Sequence, residues 1–463
     1  MPIIFRSAKN QESCVPLCRL ADQQKLSIWH TPQRFRHGSR MYSTDNFRKL
    51  CYTVFIMKKR QTQSSATGHR ARAIAGVLII SAAGVIAGLY AVHVRARSRL
   101  DVAFYGLSPA IVDALTTAIE DEYAESASAT FTAIPDSAPL TPRSVKKYDL
   151  LFMWNGAVAE NCAAHAQPFP RHLFHLVPAA LRERSDASTL LPLLLDHCEL
   201  DYHKEAESAH GIAPPETLAT FLTSLYDAAA VYDHPLLIAG NDDAHLLDFI
   251  SVLVEAIVGA DGYRTLVQAV KATPKFETVS VVPLTTDAAG TPVTLMTVLS
   301  LLELFQEQNI LYPQWYDVSL ADVETFLREH ALYAAVMPLS YHRTLPLRTI
   351  YTYQTVRFPV STPEVRHAVI APELVMIKYD TQPRSDALAE KLLSADTQES
   401  LSQSTQLVPV ATRAGAYDTI SDDVRFFVAS STDGGAPSLF TAFPHRESAH
   451  ACAEAIRIFL GKK

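Results

Sequence analysis

The sequence predicts an α/β fold preceded by one membrane-spanning helix. Three observations support this prediction. Apolar strands and amphipathic helices alternate from Leu100 onward, residues 191–228 combine a buried strand with two helices, and residues 73–94 form an uncharged apolar run. Strands separated by helices favour parallel sheets with crossover helices.

Length and composition are those of a globular protein. The 463 residues are 48% hydrophobic and 19% charged, and a chain of this length contains about two domains. The formal net charge of -7 gives no argument for a nucleic-acid partner. Of the six cysteines, only Cys162, Cys198 and Cys452 follow the apolar run. These three allow at most one disulfide, which excludes a disulfide-stapled scaffold.

The apolar run of residues 73–94 predicts a transmembrane anchor. A spanning helix needs about 20 apolar residues, whereas the apolar core of a cleaved signal has about 7 to 15. We therefore expect a retained anchor, with cleavage after Ala96 as the alternative. More basic residues precede the run than follow it. This asymmetry predicts a single-pass protein of the cytoplasmic membrane whose C-terminal part lies in the periplasm or outside.

The N-terminal residues 1–72 are basic and show no hydrophobic periodicity, so we expect them to be disordered. Met57-Lys58-Lys59-Arg60 is typical of the charged start of a secretory segment. We therefore expect translation to begin at Met57.

The first elements beyond the anchor follow from periodicity. Strands are predicted over residues 100–105, 129–134 and 148–154. A helix is predicted over residues 108–123, because Ile111, Leu115, Ile119 and Tyr123 fall on one helical face.

The stretch 191–228 has the strongest local signals. It predicts an apolar strand, a polar turn, a short helix and a second amphipathic helix. Gly211 supplies the left-handed end of the short helix, and Pro214 and Pro215 cannot continue it. Thr217 can then cap the second helix, whose apolar face includes Phe221.

The later elements are predicted in the same way. Gly259 should end a helix over residues 242–258, and Ser319 and Asp322 have the spacing of a capping box for a helix over residues 320–329. Asp396 is predicted to cap another helix. The remaining predictions are helices over 292–308 and 385–393 and strands over 333–339, 369–377 and 407–410.

The stretch around Gly211 also resembles a known family. Tyr202-His203-Lys204 is followed by Gly211-Ile212-Ala213-Pro214-Pro215-Glu216-Thr217. This succession resembles the extracellular solute-binding proteins of ABC importers, in the maltose-binding-like group, although it is one residue shorter before the prolines. The resemblance implies a two-lobed periplasmic-binding-protein-like fold with a hinge. Lobe one would comprise residues 100–195 and 365–400, and lobe two residues 196–360 and 401–463.

The function implied by this resemblance is solute capture for a separate ABC permease. The solute would be a sugar or an oligosaccharide held between the lobes. The chain has no nucleotide-binding motif, so a partner must supply the energy for transport. The alternative is a membrane-anchored sensory or interaction protein that has reused the fold without transport.

Candidate ligand residues follow strand ends, because open α/β sheets bind ligands at the carboxyl ends of their strands. Sugar rings offer hydroxyls at their edges and C–H groups on their faces, so polar and aromatic side chains are favoured. The candidates are Tyr105, Ser108, Trp154, Asn155, Asp196, Asn241, Asp242, Trp315 and Tyr341.

Each candidate also has a purely structural interpretation. Tyr105 and Trp154 could cover the sheet edge, and Asn241 and Asp242 could cap a helix. Asp196 could form hydrogen bonds at the hinge. Trp315 is more often a packing residue of a loop than a platform for a sugar.

Catalytic and metal-binding chemistry have weak support in the sequence. There is no G-x-S-x-G or H-E-x-x-H motif, so the sequence predicts neither an enzyme nor a cofactor. His172 and His175 are three residues apart, and His197 and His203 lie near Cys198. A metal site could be drawn from them, but no fixed spacing joins the two groups.

Overall fold

The structure is a computed structural model that describes residues 99–123, 128–183, 188–361, 372–415, 418–430 and 436–462. The predicted basic region 1–72 and membrane helix 73–94 lie outside these residues. Within them, no helix combines the length and apolar character needed to cross a membrane.

The described residues contain twelve strands. They are β1 (Arg99–Tyr105), β2 (Ser128–Ile134), β3 (Leu150–Trp154), β4 (Leu190–Leu195), β5 (Cys198–His203), β6 (Leu236–Ile238), β7 (Thr285–Thr286), β8 (Pro292–Val293), β9 (Ala334–Pro338), β10 (Tyr353–Arg357), β11 (Glu373–Lys378) and β12 (Val408–Pro409).

Two mixed sheets organise the fold. The first has the order β12-β4-β11-β3-β1-β2, and the second has the order β10-β5-β9-β6. Strands β1, β2 and β3 are parallel, as are β6 and β9, whereas β11 runs antiparallel to both β3 and β4. The prediction of parallel sheets was therefore right only for part of each sheet. Among the described residues, the strand before β11 is β10 of the other sheet, so β11 does not follow a strand of its own sheet as a βαβ unit requires.

The helical segments that cover the sheets range from four to 30 residues in length. In chain order they are Pro109–Tyr123, Pro142–Val145, Ala157–Ala163, Ala179–Glu183, Ala206–His210, Leu218–Ala228, Asp243–Ala272, Phe276–Val279, Leu295–Glu307, Leu320–Arg328, Leu339–His342, Leu347–Thr352, Pro383–Leu392, Ala395–Thr405, Thr419–Ser430, Leu439–Ala442 and Arg446–Phe459. Single 3-10 turns occur at Leu173–Leu176 and Trp315–Asp317. Gly259 has non-helical dihedral angles and divides the Asp243–Ala272 segment into two helices, as its sequence predicts.

Each sheet has its own apolar core. Phe104, Phe152 and Leu374 of the first sheet pack with Leu115 of the first helix. The core of the second sheet is larger and includes the fully buried Trp315. The mixed α/β architecture therefore consists of two lobes, each built around one sheet.

The segment from Ala395 to Ser430 lies with the first sheet. Strand β12 pairs with β4, and Val424 and Val428 belong to the core of the first sheet. The division predicted from sequence instead placed all of residues 401–463 in the second lobe. Of residues 401–463, the described part from Ala436 onward contributes to the core of the second sheet, through residues such as Leu439 and Ile456.

Two predicted helix starts need correction. Pro292 and Val293 form β8, which pairs with β7 as a hairpin, so the helix begins only at Leu295 with Thr294 as its cap. Ser394 occupies the N-cap position of the helix Ala395–Thr405, and Asp396 lies in its first turn. An acidic residue in the first turn stabilises a helix through its dipole, which explains why Asp396 resembled a cap.

The stretch around Gly211 folds largely as its sequence predicts. Gly211 ends the helix Ala206–His210 with a left-handed φ of 72°, and the side chain of Thr217 caps the helix Leu218–Ala228. The polar stretch before Lys204 differs from the prediction, because residues 198–203 form β5 in place of a turn.

Replacing Gly211 by valine should lower the free energy of unfolding by about 1 kcal/mol or more. A Cβ at this position would meet no atom within 4 Å, so the cost arises from backbone conformation alone. Chemical denaturation measures it. An unchanged denaturation midpoint would contradict a left-handed helix end at Gly211.

Candidate functional site

A pocket lies where the carboxyl ends of β1 and β3 face the second lobe. Its volume is about 70 Å³. The first lobe supplies Tyr105, Gly106, Asp136, Met153, Trp154 and Val158, and the second lobe supplies Phe440, Thr441, Phe443 and Arg446. The position agrees with the rule that open α/β sheets bind ligands at the carboxyl ends of their strands.

The wall from the first lobe is aromatic and rigid. Trp154 is the last residue of β3, and Tyr105 is the last residue of β1. The Tyr105 hydroxyl donates a hydrogen bond to the backbone oxygen of Asp136 at 2.7 Å. Burial raises the pKa of Tyr105, so the hydroxyl remains a donor at neutral pH.

Arg446 joins the two walls. Its guanidinium lies 3.6 Å from the centroid of the Phe440 ring, and its Nε is 3.0 Å from the Asp136 carboxylate of the opposite lobe. The positively charged guanidinium of Arg446 therefore makes a cation–π contact with the face of the Phe440 ring. Arg446 Nη1 is buried and has no hydrogen-bond partner among the described residues.

Asp248 Oδ1 and Ser438 Oγ are buried near each other on the second-lobe side of the fold, and neither residue lines the pocket. Most buried polar atoms in proteins are hydrogen-bonded, so Arg446 Nη1 is the atom of the pocket lining that is available to a polar ligand group.

Burial raises the pKa of Asp248 to about 7. The unfolded chain loses this proton near pH 4, so between about pH 4 and pH 7 the folded state holds a proton that the unfolded state has released. The contribution of Asp248 to stability therefore falls as the pH rises through this window.

Replacing Asp248 by asparagine should remove this pH-dependent loss of stability, because an amide does not titrate. We expect the Asp248→Asn variant to gain stability relative to the wild type as the pH rises from 5 to 7.5. Urea denaturation at both values measures the difference. A difference that is the same at pH 5 and at pH 7.5 would contradict the raised pKa.

Asn155 and Asp196 form hydrogen bonds within the protein. The side chain of Asn155 donates to the Glu373 carboxylate at 2.6 Å. Asp196 lies where β4 passes into β5, and its carboxylate accepts hydrogen bonds from Ser340 and from the backbone of His197. Burial raises the pKa of Asp196. These hydrogen bonds lie where the chain passes from the first sheet to the second.

Asn241 and Asp242 lie at the start of a helix. The Asp242 carboxylate accepts hydrogen bonds from the backbone of Ala244 and His245, as expected of an N-cap. The backbone oxygen of Asn241 accepts a hydrogen bond from Arg457. Ser108 is an exposed residue before the first helix.

Tyr341 and Trp315 lie away from the pocket lining. Tyr341 packs beside Phe326, with its hydroxyl 3.5 Å from the Glu324 carboxylate. Trp315 is fully buried, and a Cβ on Gly240 would overlap its indole ring. Tyr105 and Trp154 thus line the same pocket, whereas Tyr341 is not part of its lining.

The wall from the second lobe was missed by sequence reasoning. Phe440, Phe443 and Arg446 supply it, far along the chain from Trp154. The sequence signal for this wall was the pair Phe440 and Phe443, three positions apart and just before the amphipathic helix Arg446–Phe459. Only the packing of that helix on the second lobe brings the pair to the pocket.

The histidine and cysteine positions do not converge on a metal site. No group of three or more His, Cys, Asp or Glu side chains in the described residues could hold a metal ion. His197 pairs with Glu199 at 2.7 Å, and His172 lies 3.9 Å from Glu390. Cys162, Cys198 and Cys452 are buried free thiols.

Comparison with solved structures identifies the fold. The bacterial solute receptor AcbH, which has an exclusive preference for β-D-galactopyranose, matches with a TM-score of 0.62 at 13% identity, covering 79% of this chain and 92% of AcbH. The chain has the fold of a bacterial solute-binding protein. This confirms the fold expected from the Gly211 stretch.

Two further solved structures match with similar scores. A chitin oligosaccharide binding protein matches with a TM-score of 0.56 at 14% identity, covering 78% of this chain and 98% of that protein. A protein from the study of xylan utilization by the thermophilic bacterium Caldanaerobius polysaccharolyticus has a TM-score of 0.55 at 9% identity, covering 78% and 95%. No protein-family model matches the sequence, and no curated protein matches it either.

Proposed function

We propose that the chain is the extracytoplasmic solute-binding component of an ABC import system and that it captures a sugar or an oligosaccharide between its lobes. One observation carries the proposal. Aromatic side chains and the unpaired Nη1 atom of Arg446 meet at a single pocket between the lobes, with Trp154 on one side and Phe440 and Arg446 on the other. Sugar rings need both kinds of group, because their faces are apolar and their edges are polar.

The physical mechanism is closure of two lobes about a hinge. The chain crosses between the sheets at Asp196, and hinges of this kind absorb the motion in a few residues. A solute that contacts both walls stabilises the closed state, because only that state offers both sets of contacts. A separate ABC permease would receive the closed complex, since the chain has no nucleotide motif of its own.

Calorimetric titration of the full-length chain in detergent tests this proposal. The panel contains β-D-galactopyranose, other monosaccharides, chitin oligosaccharides and xylo-oligosaccharides. We expect at least one of them to bind with saturation. Absence of binding across the panel would contradict the sugar-binding proposal. Binding of a non-sugar polar solute in place of the sugars would contradict it as well.

The membrane anchor is the second part of the proposal. If residues 73–94 span the bilayer, the protein should sediment with membranes and resist extraction by salt and by carbonate. Fractionation of expressing cells, followed by detection with an antibody to the C-terminal part, measures this. A soluble form that begins at Arg97 would contradict the anchor and indicate cleavage after Ala96.

A further inference from the structure

Gly156 brings the backbones of the two lobes into direct contact. It follows Trp154 and Asn155 in the turn after β3 and precedes the helix Ala157–Ala163. A Cβ at Gly156 would overlap the backbone oxygen of Thr441 and would lie 2.7 Å from its carbonyl carbon. Contacts under 3 Å with backbone atoms cannot be relieved by a side-chain rotation. Every residue other than glycine would therefore force the two segments apart.

Two ion pairs also join the lobes. Lys271 Nζ lies 2.6 Å and 2.8 Å from the two carboxylate oxygens of Glu160. Arg446 lies 3.0 Å from Asp136. The side chains of these pairs are partly exposed, so each pair contributes little to stability. They align the lobes, whereas Gly156 sets how closely the lobes approach.

We propose that Gly156 is a positioning residue for lobe closure: its missing side chain permits the backbone contact with Thr441 through which the lobes reach their closed geometry. This inference rests on the proposed function, in which closure captures the solute. A larger residue would shift the population toward an open state without removing any group that touches the solute. Apparent affinity falls in proportion to the fraction of closed molecules.

The test compares Gly156→Ala with Gly259→Ala. The backbone of Gly156 has φ 157° and ψ -163°, and that of Gly259 has φ 76° and ψ 178°. Both conformations favour glycine, so both variants carry a backbone cost. A Cβ at Gly259, however, would meet no atom within 4 Å. The control therefore reproduces the strain without the contact between lobes.

Spin labels at Glu120→Cys and Glu303→Cys, both exposed and on opposite lobes, report the distance between lobes. The background carries serine at Cys14, Cys18 and Cys51. We expect Gly156→Ala to lengthen the distance and to weaken binding of a sugar identified by calorimetry about tenfold or more. Gly259→Ala should change affinity less than about twofold. An unchanged distance in a folded Gly156→Ala variant would overturn the inference.

The distance measurement also separates the two proposals. If the wild type binds no sugar but Gly156→Ala still lengthens the distance, the proposed function fails and the inference stands. A second test covers a Gly156→Ala variant that does not fold. Glu160→Cys and Lys271→Cys, in the background that carries serine at Cys14, Cys18 and Cys51, should be joined by a short bis-maleimide cross-linker, because the native side chains meet across the contact between the lobes. Failure of the cross-link to form in the folded protein would overturn the inference.

Discussion

Replacement of Arg457 by leucine should lower the free energy of unfolding by about 3 kcal/mol or more. Arg457 is 3% exposed. Its guanidinium donates to the backbone oxygens of Gly240 and Asn241 at 2.8 Å and 3.1 Å and to the Asp243 carboxylate at 2.7 Å. Leucine would leave the buried backbone oxygen of Gly240 without a donor and would remove a cation from the Asp243 carboxylate, which would keep only His450 among its described partners. The loss of one partner from such a network costs more than the pair contributed.

The Lys462→Gln variant is the matched control. Lys462 also pairs with a carboxylate, Glu454, at 3.0 Å, but both side chains are about one-third exposed. We expect this variant to lose less than about 1 kcal/mol. Urea denaturation of both variants measures the contrast. Equal losses of unfolding free energy in the two variants would contradict the role of Arg457 in fixing the helix Arg446–Phe459. This helix begins with Arg446, which lines the pocket.

Truncation of the aromatic wall should have the largest effect on binding. We expect Trp154→Ala and Phe440→Ala each to weaken sugar affinity by about 2 kcal/mol or more, as is typical of aromatic anchors. The two side chains belong to opposite lobes and line one pocket. A solute held between them would lose contact area with either truncation, and the closed state would lose stability with it.

Tyr341→Ala distinguishes this account from the pairing that sequence alone suggested. Tyr341 packs among residues of the helix Leu320–Arg328 and does not line the pocket. We expect its truncation to change sugar affinity less than about threefold, even if it lowers stability. Calorimetry on the three variants measures the contrast. Loss of affinity in Tyr341→Ala alone would show that the solute lies elsewhere.

Local signals account for what could be predicted from the sequence. Gly211 and Thr217 act within one turn of chain, and the structure gives both the expected roles. Gly259 likewise interrupts the helix at the expected place. These residues act through their own backbone conformation or through a neighbour three positions away, so the sequence itself contains the necessary information.

His330 shows that a local signal can also be missed. The turn before β9 contains His330-Ala331 and no glycine. His330 nevertheless has a left-handed φ of 55°. Its backbone N–H donates to the oxygen of Leu327, and that of Ala331 donates to the oxygen of Phe326, so the turn ends the helix Leu320–Arg328 as a glycine usually does. Histidine is one of the non-glycine residues that adopt this region most readily.

The pocket was predicted only on its first-lobe side. Trp154 and Tyr105 end strands, and the strand-end rule finds such residues. In the part of the chain that the structure describes, Phe440 and Arg446 lie at no strand end. They reach the pocket because Leu439 and Ala442 anchor their segment in the core of the second sheet. The position of β12 beside β4 was missed for the same reason, since pairing between distant strands leaves no local pattern.

Fluorescence titration of Trp154 tests the central claim most directly. Trp154 lines the pocket and is partly exposed, whereas Trp315 is fully buried in the second lobe. Addition of a sugar that binds by calorimetry should produce a saturable change in emission with the same dissociation constant. The change should disappear in Trp154→Phe, which retains the other tryptophans. A sugar that binds the wild type without altering Trp154 emission would contradict capture in the pocket between the lobes.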